Sequence, residues 1–158
     1  MGLEIERKFL VKNNSYQKYS FKKCYIKQGF LNSHKERVVR VRIIDDNAFL
    51  TVKGISNELG TSRYEWEKEI LVSDANELLL LAEKTIIEKY RFYIKQNNHT
   101  IEVDEFLGDN QGLLVAEVEL KTEKETFDKP NWLGEEVTGD IKYYNSLLSK
   151  HPYCTWDS

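Results

Sequence analysis

The chain is predicted to be an α+β protein, mainly β, whose antiparallel strands close into a barrel with charged side chains inside. Three observations lead there. Short segments alternate charged with apolar residues at the period of two that belongs to a strand. Most of the gaps between them are too short for a parallel crossover. The charges on the alternating faces are also sorted by sign along each segment.

The 158 residues fit one domain spanning 1–158, long enough to bury a sizeable core. Of these, 41% are hydrophobic and 31% charged, a globular balance, and the nine Tyr, seven Phe and three Trp favour strands. A net charge of −3 argues against a nucleic-acid or membrane-surface partner, so any phosphate chemistry must gather its cations locally. No apolar run approaches the roughly 20 residues of a membrane span, and the first residues are charged, so a cytoplasmic location is expected. Cys24 and Cys154 are far apart and form no C-x-x-C pair, which fits ordinary thiols in a reducing compartment.

The first strand, Glu4 to Leu10, puts Glu4, Glu6 and Lys8 on one face and Ile5, Arg7 and Phe9 on the other. Side chains two apart on a strand stand about 6–7 Å from each other, so two carboxylates can converge on a cation while the lysine reaches an anion. Lys12 to Ser15 is read as a turn capping a short helix to about Ser20, followed by a strand over 23–32. Val38 to Ile43 carries Arg40 and Arg42 on one face, and after Asp45-Asp46-Asn47 the chain returns through Phe49 to Lys53. Residues 54–62, with two glycines, read as a loop.

Arg63 to Ile70 sets Arg63, Glu65, Glu67 and Glu69 against Tyr64, Trp66 and Ile70. Trp66 is expected to pack beneath a helix. A leucine-rich helix is predicted from Ala75 to about Lys84, capped by Ser73 or Asp74 and covering an apolar surface. Residues 87–94 pair Lys89 with Arg91, residues 100–106 pair Glu102 with Asp104, and residues 114–121 pair Glu117 with Glu119. In the tail, 122–127 reads as a short helix, 130–134 as a loop and 140–150 as a final helix. His34 and His99 fall in predicted turns and His151 near the C-terminus, where surface roles outweigh metal binding.

A solvated sheet face gives no reason to sort its charges into same-sign neighbours, which repel. Acidic pairs (Glu4/Glu6, Glu65/Glu67, Glu102/Asp104, Glu117/Glu119) and basic pairs (Arg40/Arg42, Lys89/Arg91), with Lys8 and Lys53, point to a ligand with two kinds of partner. With these faces turned inward, acidic rows can hold divalent cations and basic rows phosphate oxygens, in a lumen too polar to keep dry. The outward apolar faces then need helices to cover them.

With E-I-E-R-K-F-L at 4–10, R-V-R at 40–42, T-V-K at 51–53, E-W-E at 65–67, E-K-Y-R at 88–91, E-V-D at 102–104 and E-V-E at 117–119, the sequence resembles the CYTH family, or triphosphate tunnel metalloenzymes. The closing W-L-G-E-E-V-T with Tyr143 and Asn145 is similar to the family's short bacterial members.

The resemblance implies an eight-stranded antiparallel tunnel flanked by helices, binding a linear triphosphate with Mg²⁺ or Mn²⁺ and hydrolysing it. It implies Glu4 and Glu6 as metal ligands, joined by Glu117 or Glu119. Lys8, Arg40, Arg42, Lys53 and Arg91 are implied as phosphate ligands, and Lys89 as the group that positions or activates the attacking water. Glu65, Glu67, Glu102 and Asp104 are implied either to hold a second metal through water or to orient the basic residues.

Inorganic tripolyphosphate is the expected substrate. Class IV adenylate cyclase, thiamine triphosphate or NTP hydrolase, and a non-catalytic polyphosphate-binding module are the alternatives. The resemblance leaves a homodimer open.

Overall fold

The computed structural model describes residues 2–156, apart from the side chain of Lys84. Its strands are β1 (Gly2–Val11), β2 (Ser20–Asn32), β3 (Arg37–Ile44), β4 (Asn47–Gly54), β5 (Ser62–Ile70), β6 (Glu83–Gln96), β7 (His99–Phe106), β8 (Leu114–Glu119) and β9 (Leu133–Glu136). Its α-helices are α1 (Tyr16–Tyr19), α2 (Val72–Leu79) and α3 (Asn145–Leu148). The sheet runs β5-β4-β3-β2-β6-β7-β8-β1, and β1 pairs back with β5, closing a barrel of eight antiparallel strands. β9 lies outside the ring against the second half of β1. None of the described helices is long and apolar enough to cross a membrane.

Local chemistry sets the tight hairpins. Asp45, between β3 and β4, and Asn97, between β6 and β7, take positive φ of 51° and 55°. Asp and Asn tolerate this left-handed region better than other non-glycine residues. Gly29 in β2 is required by packing, because a Cβ there would lie 2.8 Å from both Ala82 Cβ and Ile86 Cδ1.

Three apolar clusters surround the ring. Ile5, Phe9, Ile94, Ile101, Val103 and Val118 form an outer cluster with Tyr16 from α1 and with Trp132 and Leu133. Val41 and Ala48 are covered by Ala75 and Leu79 of α2. The remaining cluster joins Phe30, Val38, Ile87, Phe106 and Val115 to Val137, Tyr143 and Leu148 from the C-terminal part of the chain. Val38, Ile87 and Val115 each stand two residues from a charged residue of the lumen on the same strand, hence on the same face. This cluster therefore seals one end of the interior.

Five expectations need correction. The leucine-rich helix spans Val72–Leu79, not 75–84, and Leu80 and Leu81 are 85% and 72% exposed. The chain must already be extended at Glu83, which pairs with Phe30. Residues 122–127 form no helix, and the expected loop at 130–134 leads into β9. The final helix is split into a 3-10 turn, Ile141–Tyr143, and α3, because Tyr144 between them is extended at φ −71°, ψ 135°. Trp66 is half-buried but belongs to none of the three clusters.

Candidate active site

Strand pleating and register bring the charged rows into one cavity. Glu4, Glu6 and Lys8 of β1 share it with Arg40 and Arg42 of β3, Lys53 of β4, Glu65 and Glu67 of β5, Lys89 and Arg91 of β6, Glu102 of β7, and Glu117 and Glu119 of β8. It encloses about 230 Å³, below the roughly 300–1,000 Å³ of pockets for drug-sized molecules and suited to a small, highly charged ligand.

The register sets like charges opposite each other. Glu6 faces Glu119 across β1 and β8, and Glu102 faces Glu117 across β7 and β8. Such pairs are destabilising without a counter-charge. Part of the compensation is internal. Lys53 Nζ donates to Glu4 Oε2 at 2.9 Å and lies 3.5 Å from Glu65, while Arg63 Nε is 3.6 Å from Glu4. Glu67 lies 3.6 Å from Arg40 and 3.5 Å from Arg42 and accepts from Thr51 Oγ1 at 2.7 Å. Lys8 is 3.8 Å from Glu117.

Asp104 sits beneath the cavity wall, almost wholly buried. Arg91 donates to both its oxygens, at 2.7 and 2.9 Å, and Lys89 Nζ is 2.7 Å from Oδ2. Its lone pairs are thus spent on two cations of β6. Arg91 also reaches Glu102 at 3.4 Å.

The electrostatics follow from burial plus uneven pairing. Burial alone would raise the Glu4 carboxyl, but Lys53 and Arg63 outweigh it and hold the group at about 2. Burial, followed by Glu117 and Glu4, pushes Glu6 well above the usual carboxylate range. Glu117 resists burial through Lys8, Arg91 and Lys89 and stays well below that range. Glu6 is therefore the carboxyl of the pair whose charge is least compensated.

On the basic side, burial and then the Arg42 charge bring Arg40 down to about 9. The buried Nε atoms of both Arg40 and Arg42 have no hydrogen-bond partner. Burial, opposed by Asp104 and assisted by Arg91, brings Lys89 to about 8.

Four polar lining residues have no role in the sequence analysis: Arg63, Tyr144, Asn145 and Ser146. Arg63 shares the face of Glu65 at the strand period, a signal present in the sequence. Tyr144 places its ring 4.9 Å from Lys8 Nζ and 5.6 Å from Arg63 Cζ, a cation-π contact with each. Tyr143, its neighbour, is packed in the sealing cluster instead.

A closed barrel of eight antiparallel strands with opposed acidic and basic rows inside is a tunnel-type fold built around a polyanion. The CYTH domain matches residues 2–149, and the chain belongs to that family. It is 49% identical over 154 residues to an inorganic triphosphatase of Acetivibrio thermocellus, covering 97% of each chain. It is 34% identical over 150 residues to an inorganic triphosphatase of Nitrosomonas europaea, covering 92% of this chain and 96% of that one. The crystal structure of the inorganic triphosphatase NE1496 superposes with a TM-score of 0.64 at 32% identity, over 92% of this chain and 97% of that one.

Proposed function

We propose that the protein is a metal-dependent triphosphatase that hydrolyses inorganic tripolyphosphate to pyrophosphate and phosphate. The observation that carries this is the convergence of Lys8, Arg40, Arg42, Lys53 and Arg91 from four strands on one small cavity. Like charges held this close repel unless an anion lies among them, and a compact polyanion supplies that counter-charge. The two relatives named inorganic triphosphatase support the choice of substrate.

In this reading Arg40, Arg42, Lys53, Lys8 and Arg91 bind the phosphate oxygens. The guanidinium forks fix orientation as well as charge. Glu65, Glu67 and Glu102 orient these cations, and Asp104 anchors Lys89 and Arg91 from below.

A divalent cation, Mg²⁺ or Mn²⁺, fits the donor set. Among the described residues no group of three or more Asp, Glu, His or Cys stands ready-made around a metal position. Glu6 is nevertheless buried beside the Glu117 and Glu4 charges with its own charge poorly compensated, and oxygen-only donors there suit a hard cation. Glu4, Glu6, Glu117 and Glu119 would hold it; bound there, it neutralises phosphate oxygens and acidifies water.

Lys89 acts as the base. Its Nζ takes a proton from the attacking water as the new P–O bond forms at a terminal phosphorus and the anhydride P–O bond breaks. The arginines stabilise the charge that develops on the leaving pyrophosphate.

Phosphorus NMR of the products tests the assignment. Tripolyphosphate should give phosphate and pyrophosphate in equal amounts. Cyclic AMP from ATP would move the protein to the cyclase reading, and tight binding of tripolyphosphate without turnover would make it a binding module.

A further inference from the structure

Lys89 is held from two directions. Asp104 Oδ2, on neighbouring β7, lies 2.7 Å from its Nζ, and Asn145 Oδ1, 56 positions away in sequence, accepts from it at 2.9 Å. Asn145 is brought there by the C-terminal part of the chain. Gly139 turns with φ +82°, Asp140 accepts from the backbone N–H of Lys142, and the extended Tyr144 starts α3. Leu148, fully buried in the sealing cluster, fixes α3 against the inner end of the barrel.

The orientation of the Asn145 amide is forced. A lysine ammonium only donates, so Asn145 must present its oxygen. The same oxygen accepts from Gln28 Nε2 at 2.9 Å. Gln28 must therefore turn its own oxygen away, and that oxygen is buried without a partner. The Gln28 bond thus holds the Asn145 oxygen from a second side, at the expense of one unsatisfied atom.

The consequence is geometric when Asn145 presents its oxygen to the amine. The tetrahedral Nζ has one bond to its own carbon and two hydrogens directed at Asp104 and Asn145. One position remains, on an amine that lines the cavity. Without Asn145 the amine could swing about Asp104 and lose that direction.

We propose that Asn145, held by Gln28, is a positioning residue that aims the remaining valence of Lys89 Nζ at the attacking water. The C-terminal α3 thereby contributes to the reaction as well as to closure of the barrel. This rests on the role of Lys89 in tripolyphosphate hydrolysis.

The test is a double-mutant cycle on tripolyphosphate turnover, with folding checked by urea denaturation. Asn145→Ala should lower kcat on the order of 10- to 100-fold, the scale of a misplaced reacting group, with KM changed by less than about threefold. In a Lys89→Met background the same substitution should change kcat by less than about twofold. Gln28→Met keeps the volume and removes the orphan oxygen, so it carries little folding burden. It should lower kcat about three- to tenfold with KM unchanged.

Losses that add in the double variant overturn the inference. So does a loss confined to KM, or a Gln28→Met protein with wild-type kcat. A wild-type protein that releases no phosphate from tripolyphosphate overturns the functional assignment and this inference together, whereas an active wild type with additive losses overturns the inference alone.

Discussion

Arg91 grips Asp104 with two parallel hydrogen bonds, Nε to Oδ1 at 2.7 Å and Nη2 to Oδ2 at 2.9 Å, inside a wall that leaves Asp104 1% exposed. Because Lys89 leans on the same carboxylate, one anion steadies two cations of the lumen. Asp104→Asn would leave both buried and poorly paired. A loss of about 3–5 kcal/mol is expected, the cost of removing one partner from a buried ion pair. Urea unfolding measures it, and added tripolyphosphate should recover part of the loss because it supplies the missing negative charge.

Arg40 predicts the opposite sign. Its guanidinium is buried beside Arg42 with an unpartnered Nε, so the ligand-free protein carries an unfavourable buried charge that a bound anion would offset. Arg40→Met is expected to stabilise the ligand-free protein by on the order of 1 kcal/mol. It should also raise the KM for tripolyphosphate at least tenfold. Thermal unfolding without substrate, set beside steady-state kinetics, checks both halves; an unstable variant with wild-type KM would refute the argument.

Lys89 gives a pH dependence. Its amine lies at about 8 because burial, the largest influence, disfavours the charged form. A base must be neutral to accept a proton, so kcat/KM should rise with pH and level off above about 8. The acid limb should disappear in Lys89→Met along with most of the activity. A flat profile from pH 6 to 9 in the wild type would remove Lys89 from the role of base.

Gly60 and Gly139 meet where the 54–62 loop crosses the C-terminal part of the chain. A Cβ on Gly60 would lie 2.3 Å from the Gly139 Cα, and Gly60 has φ +77°. Gly60→Ala is therefore strained in backbone and in contact together, and a cost above about 1 kcal/mol is expected. Differential scanning calorimetry would read it as a lowered Tm.

Much of this architecture was legible because strand pleating is strict. A residue's parity relative to Glu4, Arg40 or Lys89 tells which face it occupies, and the same-sign pairs revealed that this face looks inward. Parity does not tell depth. Asp104 shares a face with Glu102, yet it lies under the wall while Glu102 lines the cavity, because Arg91 and Lys89 close over it.

Parity also says nothing of segments that are not strands. Tyr144 and Asn145 enter the lumen through one extended residue between a 3-10 turn and a single turn of helix. Such a break is set by tertiary packing and looks like continuous helix in the pattern of apolar residues. The run Leu78 to Leu81 hides its end for the same reason, since consecutive leucines carry no period.

The central claim is that the charged interior exists to hydrolyse a triphosphate with a divalent cation. Phosphate release from tripolyphosphate, measured with and without Mg²⁺ or Mn²⁺ in the wild type and in a Glu4→Gln/Glu6→Gln variant, tests it most directly. The account predicts turnover that requires the cation and is lost in the variant. Undiminished release by that variant, or release that persists after chelation, would contradict it.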